Sequence, residues 1–347
     1  MKRVVLTGVG GFIGAHCVKH FMEKTDWQIV GVDSFRHKGT HQRLLDIAGD
    51  YIKSDRFELV TTDLSVPLSE PVKNLIFDTK IDGRGNVVRR KIDYIINMAS
   101  DSAVERSTVD PVGCFQNNTN LVLNMLEFAR EAKPDIFFQI STDEVYGEAG
   151  PDQAHHEWDV ILPSNPYAAS KAAQEAAAVA WWRTYGVPVV LTNTMNNVGE
   201  GQDPEKFLPK IIKMVATNQE VPIYGESVDD IGTRFYLHAA NHADAIVFLS
   251  KQPVPKYADG AHRPARYNVC GDVEMNNLQL AQLVAEIMGM KLKWRLVPSD
   301  SARPGYDKRY ALNSELMTRM GWTPTISFRK SMERIVKWTM DHPHWVI

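Results

Sequence analysis

The 347-residue sequence predicts an α/β protein, a doubly wound parallel sheet with a smaller α+β domain interleaved with it. Short apolar runs alternate with helical stretches from residue 3 to residue 192, the pattern of a parallel sheet covered on both faces. A glycine-rich turn joins the first apolar run to the first helix. After residue 193 the alternation loosens into short elements, yet 266–271 (Arg-Tyr-Asn-Val-Cys-Gly) reads as one more buried strand.

The strands are placed by composition and by what bounds them. Residues 3–7 run directly into the turn, and 28–32 end on Asp33. Further strands fall at 57–60, 94–97, 137–141 and 188–192, with long helices over 113–132 and 166–185. Residues 66–92 are polar and hold Gly83-Arg84-Gly85-Asn86, which reads as a surface excursion with a small hairpin. The basic run Arg89-Arg90-Lys91 within it reads as a solvated face. A helix is expected over 205–217. The first domain therefore spans 1–193 and receives about 234–250 and 266–271 from later in the chain, the rest of 194–347 forming the second.

Composition narrows the function. A net charge of −3 argues against nucleic acid or an anionic membrane as the main partner. Cys17, Cys114 and Cys270 are widely spaced, which speaks against disulfides or a metal site and for a reducing compartment. No apolar run approaches the roughly 20 residues that span a bilayer. The chain opens on a strand, so no signal peptide is expected and a cytoplasmic location is.

Gly8, Gly11 and Gly14 form a G-x-x-G-x-x-G turn that lets backbone approach a pyrophosphate, with Phe12 and Ile13 opening the helix whose N–H groups face it. Asp33, about 20 residues on, is placed to accept both ribose hydroxyls and to repel a 2′-phosphate. These features predict a Rossmann domain binding NAD, although Arg36, His37 and Lys38 follow closely and could serve a phosphate. Asp63 and Leu64 read as adenine neighbours, with a turn cap the competing role for Asp63.

Asn165 or Ser164 caps, and Pro166 opens, the helix that carries Tyr167 and Lys171 four apart on one face. An ammonium and the nicotinamide charge lower the pKa of such a tyrosine, fitting it to take a proton from a sugar hydroxyl. The strand at 137–141 ends in Ser141-Thr142-Asp143-Glu144 at the carboxyl edge of the sheet, where doubly wound folds bind ligands. Lys206, Arg234 and Arg303 suit a diphosphate.

At Thr142-Asp143-Glu144 the chain resembles the dTDP-glucose 4,6-dehydratase family, within the extended short-chain dehydrogenase/reductases. The resemblance spans nearly the whole chain, including 97–100, Asn118, 196–197, 204–206, 224–225, 303–307 and 321–322. It implies deoxysugar chemistry with hidden redox. Tyr167, helped by Lys171 and Thr142, deprotonates the hydroxyl on carbon 4, Glu144 removes the carbon 5 proton, and Asp143 protonates the departing hydroxyl on carbon 6. It also implies cofactor contacts from Ala99, Ser100 and Asn118. Nucleotide-sugar contacts would come from Ser102, Asn196, Lys206, Leu208, Tyr224, Arg234, Asn268, Arg303 and Tyr306, and the helices at 113–132 and 166–185 would join a homodimer. The chain departs from the family at Ala103, Leu121, Val122, the 66–92 excursion, the 226–233 loop and 235–241, which leaves the base and hexose open. A nucleotide-sugar epimerase, a 5,6-dehydratase and a non-catalytic NAD-binding scaffold are the competing readings.

Overall fold

The computed structural model describes residues 1–254, 262–298 and 307–345. Its elements begin with β1 (Arg3–Thr7), α1 (Phe12–Lys24), β2 (Gln28–Asp33), α2 (His41–Ala48), β3 (Phe57–Thr61), α3 (Glu70–Ile76), β4 (Lys80–Ile81) and β5 (Val87–Val88). Next come β6 (Tyr94–Asn97), α4 (Val104–Val109), α5 (Pro111–Ala132), β7 (Ile136–Thr142), α6 (Pro166–Tyr185) and β8 (Val189–Thr194). Then follow β9 (Asn196–Val198), α7 (Phe207–Ala216), β10 (Glu220–Tyr224), β11 (Thr233–His238), α8 (Ala239–Ser250) and β12 (Ala265–Val269). Last are β13 (Glu274–Asn276), α9 (Asn277–Ile287), β14 (Lys293–Val297), α10 (Glu315–Arg319) and α11 (Phe328–Asp341).

Two compact units share these elements. The first takes Met1–Thr142, Pro166–Asn193 and Ile246–Tyr267, and the second takes Asp143–Asn165, Thr194–Ala245 and Asn268–Ile347. Residues 143–165, assigned from sequence to the first domain, thus group with the second unit, the chain leaving the first unit after Thr142 and re-entering it at Pro166.

The first unit is built on a seven-stranded sheet of order β12-β8-β7-β6-β1-β2-β3. Its β1–β2, β1–β6, β2–β3 and β6–β7 pairs are parallel. Strand order reverses between β1 and β6, the switch point at whose carboxyl edge doubly wound sheets bind ligands. Every residue of β1, β6 and β7 is buried, as a sheet covered on both faces requires. α5 begins with Pro111 at its first position and the Asp110 carboxylate accepting the Gly113 N–H at 2.9 Å, and it ends on Lys133 in the left-handed region. The 66–92 excursion holds α3 and the β4–β5 hairpin. Its basic run is not merely solvated. Arg89 pairs with Glu131 and Glu70, Lys91 with Asp135 at 2.6 Å and Arg90 with Asp78 at 3.9 Å, which pins the excursion to α5 and its neighbours.

In the second unit β9, β11 and β13 form one small sheet, and β10 pairs in parallel with β14. Its core joins Leu208, Ile211, Ile212 and Val215 of α7, Leu280, Ala281 and Val284 of α9, and Met332, Ile335 and Val336 of α11. Three amphipathic helices thereby bury their apolar stripes against one another. Asn276 and Gln279 close a reciprocal capping box at the start of α9. Among the described residues no helix is long and apolar enough to cross a membrane, and the three cysteines are free and buried.

Candidate functional site

In the first unit the turn after β1 is a close-packed cradle. Gly8 has φ +77°, and a Cβ on it would lie 3.1 Å from the Ala99 backbone in the turn after β6. Gly11 donates its N–H to the Gly8 carbonyl at 3.0 Å and precedes Phe12 and Ile13 without offering a side-chain cap to α1. A Cβ on Gly14 would lie 2.0 Å from the Gly8 carbonyl oxygen, a contact with backbone that cannot swing aside. The first turn of α1 thus meets the loop with nothing but backbone between them.

Asp33 ends β2 with its carboxylate accepting the N–H groups of Gly10 and Phe35, each at 2.8 Å. The basic side chains beside it are occupied. Arg36 pairs with Asp63 and donates to Asn117 Oδ1 at 2.7 Å, while Arg106 bridges His37 and Asp101 at 2.8 and 3.2 Å. Asp63 also accepts the Ser65 N–H at 2.8 Å, so it is both a turn cap and the counter-charge of Arg36. Burial pushes its carboxyl up, but the Ser65 hydrogen bonds and the Arg36 charge outweigh that and hold it below the usual carboxylate range. Leu64 is buried, and its carbonyl accepts from Asn124 at 2.8 Å. The Ser100 hydroxyl is buried with no hydrogen-bond partner among the described residues, whereas Ser102 is exposed.

Tyr167 and Lys171 lie buried on one face of α6, as their spacing predicts. The Lys171 ammonium donates to the Ile140 carbonyl and to Gln174 Oε1, both at 2.7 Å. Burial lowers its pKa to about 8, against the opposing charge of Glu175 one turn on. Glu175 in turn is held by Arg266 of β12 at 2.6 Å and by Asn193 Nδ2 at 2.7 Å, all three buried. Asn193 Nδ2 also donates to the Thr142 carbonyl at 3.0 Å, fixing the end of β7. Asn118 donates to the Ser170 hydroxyl at 2.9 Å and to the Asp101 carbonyl at 3.0 Å.

In the second unit Asp143 and Glu144 open a 3-10 turn over Asp143–Tyr146. Asn165, expected only as a helix cap, donates its amide to Glu144 Oε2 at 3.1 Å. Desolvation raises the Glu144 pKa, opposed by the Asn165 bond and the charges of Lys206 and Arg234 and assisted by Asp307. Arg234 lies 4.6 Å over the Tyr310 ring and donates to the carbonyls of Thr233, Asp307 and Lys308 at 2.6–2.7 Å, so its guanidinium fastens the 307–308 backbone. The Tyr310 phenol is pushed well above its usual range by burial and by the charges of Glu144 and Asp307.

The remaining predicted residues of this unit divide. Lys206 stands at the N-cap position of α7 without a side-chain capping bond, Asn196 lies on β9 and Tyr224 closes β10. Asn268 is buried, donates to the carbonyls of His155 and Asn313 at 2.9 and 3.3 Å, and keeps a buried Oδ1 with no partner among the described residues. Leu208 packs in the core, which leaves only its backbone to meet a ligand. Arg303 and Tyr306 lie outside the described residues. Gln174, Glu175, Arg266, Asn193, Asp307 and Tyr310 escaped sequence reasoning. Gln174 and Glu175, standing three and four residues after Lys171, and Asp307, inside the 303–307 stretch of the resemblance, carried a signal. No group of three or more His, Cys, Asp or Glu among the described residues is arranged to hold a metal ion.

A family model described as GDP-mannose 4,6 dehydratase matches residues 5–335. A Shigella flexneri protein named dTDP-glucose 4,6-dehydratase is 30% identical over 370 residues, an alignment that covers 99% of this chain and 94% of that protein. The crystal structure of DesIV, a dTDP-glucose 4,6-dehydratase from Streptomyces venezuelae with NAD and TYD bound, superposes with a TM-score of 0.81 at 26% identity. That match covers 99% of this chain and 98% of DesIV. A Thermus thermophilus UDP-glucose 4-epimerase in complex with NAD superposes with a TM-score of 0.80 at 23% identity over 97% of this chain and 99% of its own, a likeness of fold alone.

Proposed function

We propose that this chain, which belongs to the GDP-mannose 4,6 dehydratase family, is an NAD-dependent nucleotide-sugar 4,6-dehydratase acting on dTDP-glucose or a close relative. The observation that carries the reading is the acidic pair directly after β7, with Glu144 desolvated and held by Asn165 amid Lys206, Arg234 and Asp307. Epimerisation needs no such pair, whereas elimination of water needs one group to take a proton and another to give one.

The residues of the first unit fit a dinucleotide. Gly14 lets the first turn of α1 pack directly on the Gly8 carbonyl and so bring its free N–H groups to a pyrophosphate, Asp33 suits ribose hydroxyls, and the Ser100 hydroxyl offers a buried partner. Asp33 repels a 2′-phosphate, and the pairing of Arg36 with Asp63 and Asn117 removes the charge that would welcome one, which supports NAD over NADP. Gly14→Ala is expected to force the turn apart, costing about 1–3 kcal/mol of stability. It should weaken NAD binding about tenfold or more, because about 1.4 kcal/mol of lost fit is already tenfold. Thermal melts and calorimetric titration with NAD measure both.

When bound, NAD supplies reversible hydride storage, from carbon 4 of the hexose to carbon 6. Tyr167 takes the proton of the carbon 4 hydroxyl, its phenolate stabilised by the Lys171 ammonium and the Thr142 hydroxyl. The carbon 4 ketone acidifies carbon 5, and the Glu144 carboxylate removes that proton. Asp143, protonated, gives its proton to the carbon 6 hydroxyl, and the C6–O bond breaks to release water. Glu144 then returns the proton to carbon 5. Lys206, Asn196 and Asn268, together with Arg303 and Tyr306, would hold the nucleotide diphosphate. The same reading makes the protein a homodimer joined through α5 and α6, and it is supported by Val112, Phe115 and Leu123 exposed on α5.

The test is mass spectrometry of purified protein incubated without added reductant with dTDP-glucose, UDP-glucose, GDP-mannose and CDP-glucose. Loss of one water from one of them is expected, with deuterium placed on carbon 4 recovered on carbon 6. If every sugar kept its mass while NAD was bound, the dehydratase reading would fall, and deuterium kept on the sugar with inversion would mark an epimerase.

A further inference from the structure

We infer that a buried row of side chains, Thr7, Asn97, Gln139 and Gln174, is a positioning device for the Lys171 ammonium, with Gln174 as its contact. The inference rests on reading Tyr167 and Lys171 as the proton-handling pair. The row crosses three neighbouring strands of the first unit and ends on α6. Thr7 Oγ1 donates to Asn97 Oδ1 at 3.0 Å, and Asn97 Nδ2 donates to Gln139 Oε1 at 2.8 Å, a pair in register across β6 and β7. Gln139 Nε2 donates to Gln174 Oε1 at 3.1 Å, the same oxygen that accepts from Lys171 at 2.7 Å. All four side chains of the row are at most 1% exposed.

The direction of every bond is dictated from both ends by main-chain groups. At one end Thr7 Oγ1 accepts the backbone N–H groups of Met98 and Ala99, each at 3.0 Å, so its single hydrogen must go to Asn97. At the other end Gln174 Nε2 donates to the Asn118 carbonyl at 2.6 Å, which leaves only its oxygen to face Lys171. An amide between these fixed ends cannot turn over without breaking bonds on both sides. The row therefore fixes Gln174 with its oxygen toward the buried cation, and the Gln139 N–H, which points its positive end at that same oxygen, shares it with the ammonium. Glu175 is the other source of negative charge, and its carboxylate is already engaged by Arg266 and Asn193. The ammonium's own hydrogen-bond acceptors are thus uncharged oxygens, Gln174 Oε1 and the Ile140 carbonyl. Among the described residues Glu175, with Arg266 of β12 behind it, is the charged group acting on the ammonium, and Tyr167 stands one turn before Lys171 on the same face of α6. α5 and β7 present Asn118, Gln139 and backbone.

Gln174→Met keeps the length and removes the acceptor, which destabilises the ammonium. Gln174→Glu places a charge there and stabilises it. Lys171 should lose its proton at lower pH in the first variant and at higher pH in the second, each by about one pH unit or tenfold in the ionisation constant. The alkaline edge of dehydration should move the same way. The measurement is an NMR titration of the full-length protein with 13C at lysine Cε, read at Lys171 with no sugar present. Gln139→Met, one step removed, frees Gln174 Oε1 for the ammonium alone and should move Lys171 opposite to Gln174→Met and by less. It supplies the reading if Gln174→Met does not fold. Equal titration in wild type and every folded variant, or shifts of one sign in Gln174→Met and Gln174→Glu, would overturn the proposal. Opposite shifts without dehydration of any sugar would support the row while retiring the dehydratase, so the two ideas fail separately.

Discussion

Tyr167→Phe is expected to lower turnover by about 10²–10⁴-fold, the range for losing a positioned acid or base, equivalent to about 3–5 kcal/mol of transition-state stabilisation. Phenylalanine fills the same buried place on α6 and leaves the Lys171 bonds to Ile140 and Gln174 intact, so the loss belongs to the missing oxygen and not to a collapsed helix. Quenched reactions analysed by mass spectrometry should hold only unreacted nucleotide sugar, because the block precedes oxidation at carbon 4. Turnover within a few-fold of wild type would remove Tyr167 from the mechanism.

Glu144→Gln should be as slow overall but stall later. The amide can still meet Asn165, but it cannot take a proton from carbon 5. Oxidation at carbon 4 then goes forward without elimination, and quenching should show hexose nucleotide that is oxidised but not dehydrated, in amounts comparable to the enzyme. A loss of about 10²–10⁴-fold in water release is expected. The wild-type protein should show the matching pH dependence. Glu144 acts as a base only when ionised, and burial raises its pKa against the opposing pull of Asn165, Lys206 and Arg234. Turnover should therefore fall on acidification through a pH above the value of about 4.3 of an ordinary glutamate. Finding only unreacted sugar with Glu144→Gln would place Glu144 before, not after, the oxidation.

What could be read in advance depended on how local the physics was. Gly8, Gly11, Gly14 and Asp33 belong to one strand-turn-helix-strand unit, so their spacing alone located the cradle. Tyr167 and Lys171 share a helix face by periodicity. Arg36 looked like a phosphate ligand because Asp63 and Asn117, which occupy it, are 27 and 81 residues away. Asn165 passed for a cap because its contact with Glu144 forms only when the loop 145–164 folds back. Gln174 stands one turn after Lys171 on an Ala-rich helix, but its meaning comes from Gln139 and Asn97 on two other strands. Leu208 was assigned to the ligand by the family resemblance, while its own apolar periodicity on α7 pointed to the core.

The edge strand β12 gives this fold a timing problem during synthesis. Arg266 arrives more than 70 residues after β8, following the whole of 194–245, yet its guanidinium neutralises the buried Glu175 carboxylate. A nascent chain that has emerged only as far as residue 193 must leave that carboxylate without its counter-charge, held by Asn193 but not by Arg266, or keep α6 undocked, and removing one partner of a buried pair costs about 3–5 kcal/mol. The ribosome must therefore deliver most of the polypeptide before the first unit can close, and a fragment ending at 193 should emerge as an aggregation-prone intermediate and not as an autonomous domain.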